Sequence, residues 1–195
     1  MTKYSKFALC ALVMGAFTFT SCSSDSDDPA PESIYQRLGG TTLVDDPDNS
    51  DPAVTIEAGR LAYRKVVNTT IGLIIADVQA NASGNLSAHF APILAETGAT
   101  QTTNLAELSD NLTDFFSFNT GGTNAVNTYS GLSMSAAHNP AMNPRMGVKA
   151  NSANYDKFEG YVGAAAVQNG VAANTQLYAD VVAVLESLRS TIVQQ

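Results

Sequence analysis

The chain has 195 residues, of which 45% are hydrophobic and 14% are charged, and its formal net charge is −8. This hydrophobic content is enough to build a buried core. The acidic balance argues against nucleic acid and against an anionic membrane surface as partners.

The first 21 residues have the pattern of an export signal. Lys3 and Lys6 precede the apolar residues 7–19, and small residues then lead directly to Cys22. This pattern predicts a bacterial lipoprotein signal, cleaved before Cys22 and followed by acylation of that cysteine. The alternative is an ordinary secretory signal with a chance cysteine. A lipid anchor predicts an extracytoplasmic protein on a bacterial membrane, and it leaves open the leaflet and display at the cell surface.

Processing would change both the charge and the cysteine content. Loss of Lys3 and Lys6 lowers the formal charge from −8 to −10, and Cys10 leaves with residues 1–21. With Cys22 lipidated, no thiol remains for a disulfide, a metal or a nucleophile. Residues 22–32 are acidic and contain proline, which predicts a solvated tether. Residues 33–195 are the length of one domain.

The domain begins with a short helix and a loop. Ser33 is a suitable N-cap, and Gly39-Gly40 predicts the end of the helix. Residues 41–51 form a predicted loop whose acidic cluster invites a calcium site. This cluster lacks the glycine and the terminal glutamate of the familiar calcium-binding loop, so we do not favour calcium.

Helical periodicity dominates the rest of the chain. Apolar residues recur at spacings of three and four, and no alternating strand pattern occurs, which predicts an all-α fold. The predicted helices cover residues 55–77, 105–118, a segment around 155–165 that stops near Asn169-Gly170, and 177–192; residues 78–87 and 97–103 are predicted loops, and 88–94 is a short apolar corner.

His138 is the most informative candidate for a functional residue. It is one of two histidines and ends a short turn that follows an apolar helix and the pair Gly121-Gly122. One imidazole in such a place is what a protein needs to hold haem iron from one side. The alternative is a histidine that is favoured at a helix end by the helix dipole.

Several segments together resemble the group 1 truncated haemoglobins. Residues 33–40 resemble the opening of that family, and residues 104–122 resemble its distal helix and double glycine. Residues 129–134 and Ala137-His138 resemble its Tyr-x-Gly segment and proximal histidine, and Gly170-Val171 begins a similar tail. The resemblance implies a two-on-two helical sandwich around haem b.

The resemblance also implies a role for each matched residue. His138 corresponds to the proximal iron ligand, and Phe90 corresponds to the phenylalanine that packs on the haem face. The remaining matched residues are Ile71, Leu108 and Leu112 on the distal side, and Phe115, Phe116 and Met134 in the rest of the apolar pocket.

The distal positions depart from the family pattern. Ile71 stands where the family often has tyrosine, and Leu112 stands where it often has glutamine. No hydrogen-bond donor remains at the matched positions, so we expect faster loss of dioxygen. His89 is the one nearby polar side chain, and we expect it to be a corner residue because Phe90 takes the inward position.

The segment that follows His138 adds cations and methionines. Arg145 and Lys149 are the natural partners for haem propionates in an acidic protein, with a solvated loop as the alternative. Met142 or Met146 could serve as a sixth iron ligand, although we favour methionines that fill gaps in the loop.

The sequence therefore predicts a haem protein that binds a diatomic gas, namely oxygen, nitric oxide or carbon monoxide. We expect a binding protein and not an enzyme, since no nucleophile elbow, paired carboxylates or phosphate-binding loop is present. Two alternatives stay open: a lipoprotein that carries or scavenges haem, and a haem-free globin-like module that binds a partner.

Overall fold

The computed structural model describes residues 30–123 and 125–195. Glu32–Gln195 form one compact unit. The predicted signal, Cys22 and most of the tether lie outside the described residues. Among those described, no helix has both the length and the apolar character needed to cross a bilayer.

The described chain is mostly helical, in agreement with the predicted class. Its seven α-helices are α1 (Ile34–Arg37), α2 (Ala58–Gln79), α3 (Ser87–Leu94), α4 (Gly98–Asn119), α5 (Met134–Ala137), α6 (Ser152–Gln168) and α7 (Gln176–Ile192), with a 3-10 helix at Ala125–Asn127. α2 packs against both α4 and α6, and α6 packs against α7. α2 therefore lies at the centre of the helical packing.

Two short strands correct the sequence analysis. β1 (Leu43–Asp45) and β2 (Thr55–Glu57) pair antiparallel, with Val44 opposite Ile56. The first residues of the predicted helix 55–77 are therefore extended, and α2 starts only at Ala58. At three residues each, these strands are too short to show a recognisable alternation.

One predicted loop and the predicted apolar corner are helical. The predicted loop 97–103 belongs almost entirely to α4, which starts at Gly98. Polar contacts stabilise this first part of the helix: Gln101 Nε2 donates to Ile93 O at 3.2 Å, and Thr102 Oγ1 donates to Gly98 O at 3.2 Å. The apolar corner is the helix α3. Tertiary and local hydrogen bonds here outweigh a weak helical pattern.

The predicted helix ends agree well at α1 and α7. Ser33 Oγ accepts a hydrogen bond from Gln36 N at 3.2 Å, as an N-cap does. Gly39 follows α1 with φ at +111°, a backbone conformation that residues with a side chain rarely adopt. α7 spans Gln176–Ile192, one residue longer than predicted.

Two carboxylates of the acidic loop form ion pairs with one arginine. Arg64 donates to Asp46 Oδ1 at 2.5 Å and pairs with Asp48 Oδ2 at 3.0 Å. The hydrogen bond from Arg64 lowers the pKa of Asp46. These ion pairs attach the loop before β2 to the side of α2.

An aromatic core lies where α1, α2 and α4 meet. Tyr35 is fully buried, and its ring stacks on Tyr63, which in turn stacks on Phe116 at 5.9 Å between centroids. The Tyr35 hydroxyl donates to Glu57 Oε2 at 2.5 Å, so the buried carboxylate and phenol satisfy each other. A side chain at Gly122 would meet the Tyr35 ring at 2.9 Å, which explains the glycine there.

The core should be sensitive to loss of a single side chain. Leu185 of α7 is 1% exposed, whereas Leu43 of β1 is 64% exposed. We expect Leu185→Ala to lower the free energy of unfolding by about 2–5 kcal/mol, because the substitution leaves a cavity. Leu43→Ala, the matched control, should change it by less than about 0.5 kcal/mol. Urea unfolding followed by circular dichroism measures both, and equal effects would place Leu185 outside the core.

Candidate functional site

One large cavity contains most of the residues singled out in the sequence. It measures about 600 Å³, which lies within the range of pockets that bind organic ligands. Residues from α2, α3, α4, α5 and α6 line it, together with the segment that joins α5 to α6. Most of its wall is apolar.

Eight of the ten residues named as candidate haem contacts line this cavity. They are Ile71, Phe90, Leu108, Leu112, Phe115, Met134, His138 and Arg145. These residues come from five separate stretches of chain, and the fold brings them to one place.

Phe116 and Lys149 lie outside the cavity. Consecutive residues of a helix point about 100° apart, so Phe115 lines the cavity while Phe116 turns away and stacks on Tyr63. Lys149 precedes Ala150, which forms a bridge with Val193 in extended backbone. Alternate side chains of extended backbone point in opposite directions, so Ala150 lines the cavity and Lys149 is exposed.

His138 is held in a defined orientation at the end of α5. Ser133 caps this helix, with its Oγ accepting from Ala136 N at 3.3 Å. The Nδ1 atom of His138 lies 2.8 Å from the carbonyl oxygen of Met134. A carbonyl can only accept, so Nδ1 carries the proton and Nε2 keeps the lone pair. This arrangement orients an imidazole for metal ligation through Nε2.

Burial favours the neutral form of this imidazole. Desolvation lowers the pKa of His138, the hydrogen bond to Met134 opposes this effect, and the nearby His89 lowers the pKa further. A neutral ring is the form that can donate its lone pair to a metal.

His89 has a more interior position than we expected. Its side chain is buried and lines the same cavity as Phe90, although we expected only Phe90 to point inward. The His89 Nδ1 atom lies 3.1 Å from Val148 O, and its backbone carbonyl accepts from Gly147 N at 2.8 Å. His89 therefore joins α3 to the segment after His138.

The segment after His138 is anchored at two points. Asn143 Nδ2 donates to Ala137 O at 2.8 Å, which attaches the segment to α5. Gly147 approaches α3 so closely that a Cβ atom there would lie 2.0 Å from Ala88 O. Met146 lines the cavity, whereas Met142 is 63% exposed and does not line it.

Arg145 connects this segment to α4. Its Nη1 atom pairs with Glu107 Oε2 at 2.6 Å, and its Nη2 atom donates to Asn104 Oδ1 at 2.7 Å. Asn104 Nδ2 in turn donates to Glu96 Oε2 at 2.6 Å. Asn104, Glu107 and Arg145 all line the cavity and form a polar rim.

The polar residues of this rim were not predicted from the sequence. Asn104, Glu107 and Asn111 lie at helical spacing with Leu108 and Leu112, so one stripe of α4 faces the cavity. The periodicity could have revealed them. The predicted helix 105–118 starts after Asn104, and its prediction rests on the apolar residues alone.

At the distal positions, the side chains of Ile71 and Leu112 have no hydrogen-bond donor. The neighbouring Thr70 lines the cavity, but its hydroxyl donates to Val66 O at 2.8 Å. Asn111, one turn from Leu108, brings an amide to the cavity wall. The two matched positions themselves are apolar, and Asn111 is a polar group on the same wall.

No protein-family model, curated protein or solved structure matches this chain. The resemblance to truncated haemoglobins therefore stays a prediction from the sequence. The chemistry of the cavity is the means of testing it.

The environment of His138 predicts a pH effect on the ligand-free protein. The pKa of His138 is lower in the folded state than the ordinary value of about 6.5, so the unfolded chain binds this proton more tightly. Lowering the pH through about 6.5 therefore favours the unfolded chain. We expect the free energy of unfolding to fall between pH 7 and pH 5, and His138→Gln to reduce that fall. Urea unfolding at both pH values tests this, and an equal fall in the two proteins would contradict it.

Proposed function

We propose that this protein binds haem b in the cavity, with His138 as the iron ligand, and that it binds a diatomic gas at the haem. The observation that carries the proposal is the orientation of His138. Its Nδ1 atom is committed to Met134 O, and the remaining Nε2 lone pair belongs to an imidazole that lines the cavity.

The residues around the cavity fit such a cofactor. Phe90, Leu108 and Met134 supply apolar wall for a flat ring system, and Arg145 supplies a cation at the rim. Haem iron, when bound, would supply a coordination position for oxygen, nitric oxide or carbon monoxide. The chain itself holds the ring, orients the ligating imidazole and excludes water from the apolar side.

The helical packing is consistent with a truncated globin. α2 packs on α4, α6 packs on α7, and α2 also packs on α6. We infer that these two helix pairs form the two-on-two sandwich of that family. We also propose a lipid anchor at Cys22 and an extracytoplasmic location. Cys22 lies outside the described residues.

A haem carrier is the second candidate. The polar rim is open to solvent, since Arg145 and Glu107 are both partly exposed. An accessible rim and an apolar distal side would suit a protein that releases its haem. Transfer of haem to apomyoglobin within minutes would favour the carrier, and retention for hours would favour gas binding.

Haemin titration tests the role of His138 directly. The purified protein with haemin should show a Soret band typical of a histidine ligand. His138→Ala should weaken binding by more than roughly 10-fold, because even loss of an outer-sphere partner costs about 10–100-fold in metal affinity. His89→Ala removes the other imidazole of the cavity, and a histidine-type Soret band in this variant would assign the iron ligand to His138. Equal binding by wild type and His138→Ala would refute the proposal.

A donor placed on the distal side should slow the loss of dioxygen. Leu112→Gln introduces an amide at the cavity wall, and one hydrogen bond contributes about 0.5–1.5 kcal/mol, or roughly 2- to 10-fold in rate. Leu112→Met keeps a similar volume without a donor and is the control. Stopped-flow dissociation of dioxygen measures both. If Leu112→Gln and Leu112→Met dissociate at the same rate, residue 112 does not face the gas.

A further inference from the structure

The polar rim of the cavity carries one cation among the residues that the structure describes. Arg145 is the one lysine or arginine among the described residues that line the cavity. Its two terminal nitrogens are both occupied, one by the Glu107 carboxylate and the other by the Asn104 amide oxygen. The guanidinium is thus positioned at the cavity and already paired with an internal carboxylate.

The two partners of Arg145 differ in how firmly they are fixed. Asn104 is buried, and its Nδ2 atom is held by Glu96 Oε2 at 2.6 Å. The side chain of Glu107 is 52% exposed, and among the described residues its carboxylate bonds only to Arg145. An exposed ion pair of this kind contributes little to stability, so Glu107 can leave without disturbing the fold.

The carboxylate of Glu107 would repel any ligand that brings a carboxylate to the rim. A ligand carboxylate at the rim would meet the negative charge of Glu107 in a protein of formal charge −8. Two carboxylates close together repel each other, whereas a guanidinium can donate a hydrogen bond to either of them. The ligand carboxylate and Glu107 therefore compete for the same nitrogen.

We propose that Glu107 is an internal competitor for the ligand, and that a carboxylate of the bound ligand replaces Glu107 on Nη1 of Arg145. Asn104 keeps Nη2 in place during this exchange. The cavity is thereby selective for an apolar ring system that bears at least one carboxylate. This inference rests on the proposed function, because it defines the chemical class of the same ligand.

The competing explanation is structural. The Arg145–Glu107 pair would then only hold the segment after His138 against α4. In that case its loss would affect every ligand alike, with or without a carboxylate. A pair of ligands that differ only in their carboxylates distinguishes the two explanations.

Haemin and haemin dimethyl ester form that pair, because the ester has the same ring and iron but no free carboxylate. The affinity of the purified protein for each is measured by absorption titration, for wild type, Glu107→Gln and Arg145→Gln. Glu107→Gln should tighten haemin binding by roughly 2- to 5-fold and leave the ester unchanged. Arg145→Gln should weaken haemin binding by about 10-fold or more and leave the ester nearly unchanged.

Glu186→Gln is the matched control. Glu186 is also a half-exposed carboxylate paired with an arginine, Arg189, and it does not line the cavity. Its replacement should change neither affinity. Equal shifts for haemin and ester in Glu107→Gln would overturn the competitor role while leaving haem binding intact. Absence of haemin binding by the wild type would overturn the proposed function and this inference together.

Discussion

The structure depends on two helices that each serve both the core and the cavity. α2 contributes Tyr63 and Val67 to the aromatic core and, one to two turns later, Ile71 and Ile74 to the cavity. α4 runs the other way, lining the cavity with Leu108 and Leu112 before Phe116 enters the core. The stack of Tyr63 on Phe116 fixes how these helices cross. The shape of the cavity thus follows from packing at the core.

The site adds a small number of oriented polar groups to this apolar frame. His138 is oriented by the Met134 carbonyl, His89 by the Val148 carbonyl, and Arg145 by Asn104 and Glu107. The two carbonyls belong to the main chain, and Asn104 is itself held by Glu96. Such support is what a ligand site requires, because an unsupported side chain would pay the ordering cost at the moment of binding.

Much of the fold and site could be predicted from periodicity and turn chemistry. The helices α6 and α7, the Ser33 cap and the Gly39 stop follow from apolar spacing and capping preferences. The start of α4 could not be predicted from the sequence, because residues 98–104 contain little apolar surface. These residues are held by contacts with α3 and with Arg145.

The directions of neighbouring side chains could not be predicted from the sequence either. Phe115 and Phe116 are the same residue type and both belong to the core, but only Phe115 also lines the cavity, and this difference follows from how α2 crosses α4. The roles of Glu107 and Asn104 depend on Arg145, which lies about 40 residues further along the chain. A pairing over that separation has no local sequence signal.

A crystal structure of the protein with haemin would show whether the cavity holds a haem ring with His138 bound to its iron. We expect electron density for the ring inside the cavity, against Phe90, Leu108 and Met134, with the iron bonded to Nε2 of His138. A ring bound elsewhere on the surface, or an iron inside the cavity without a bond to His138, would contradict it.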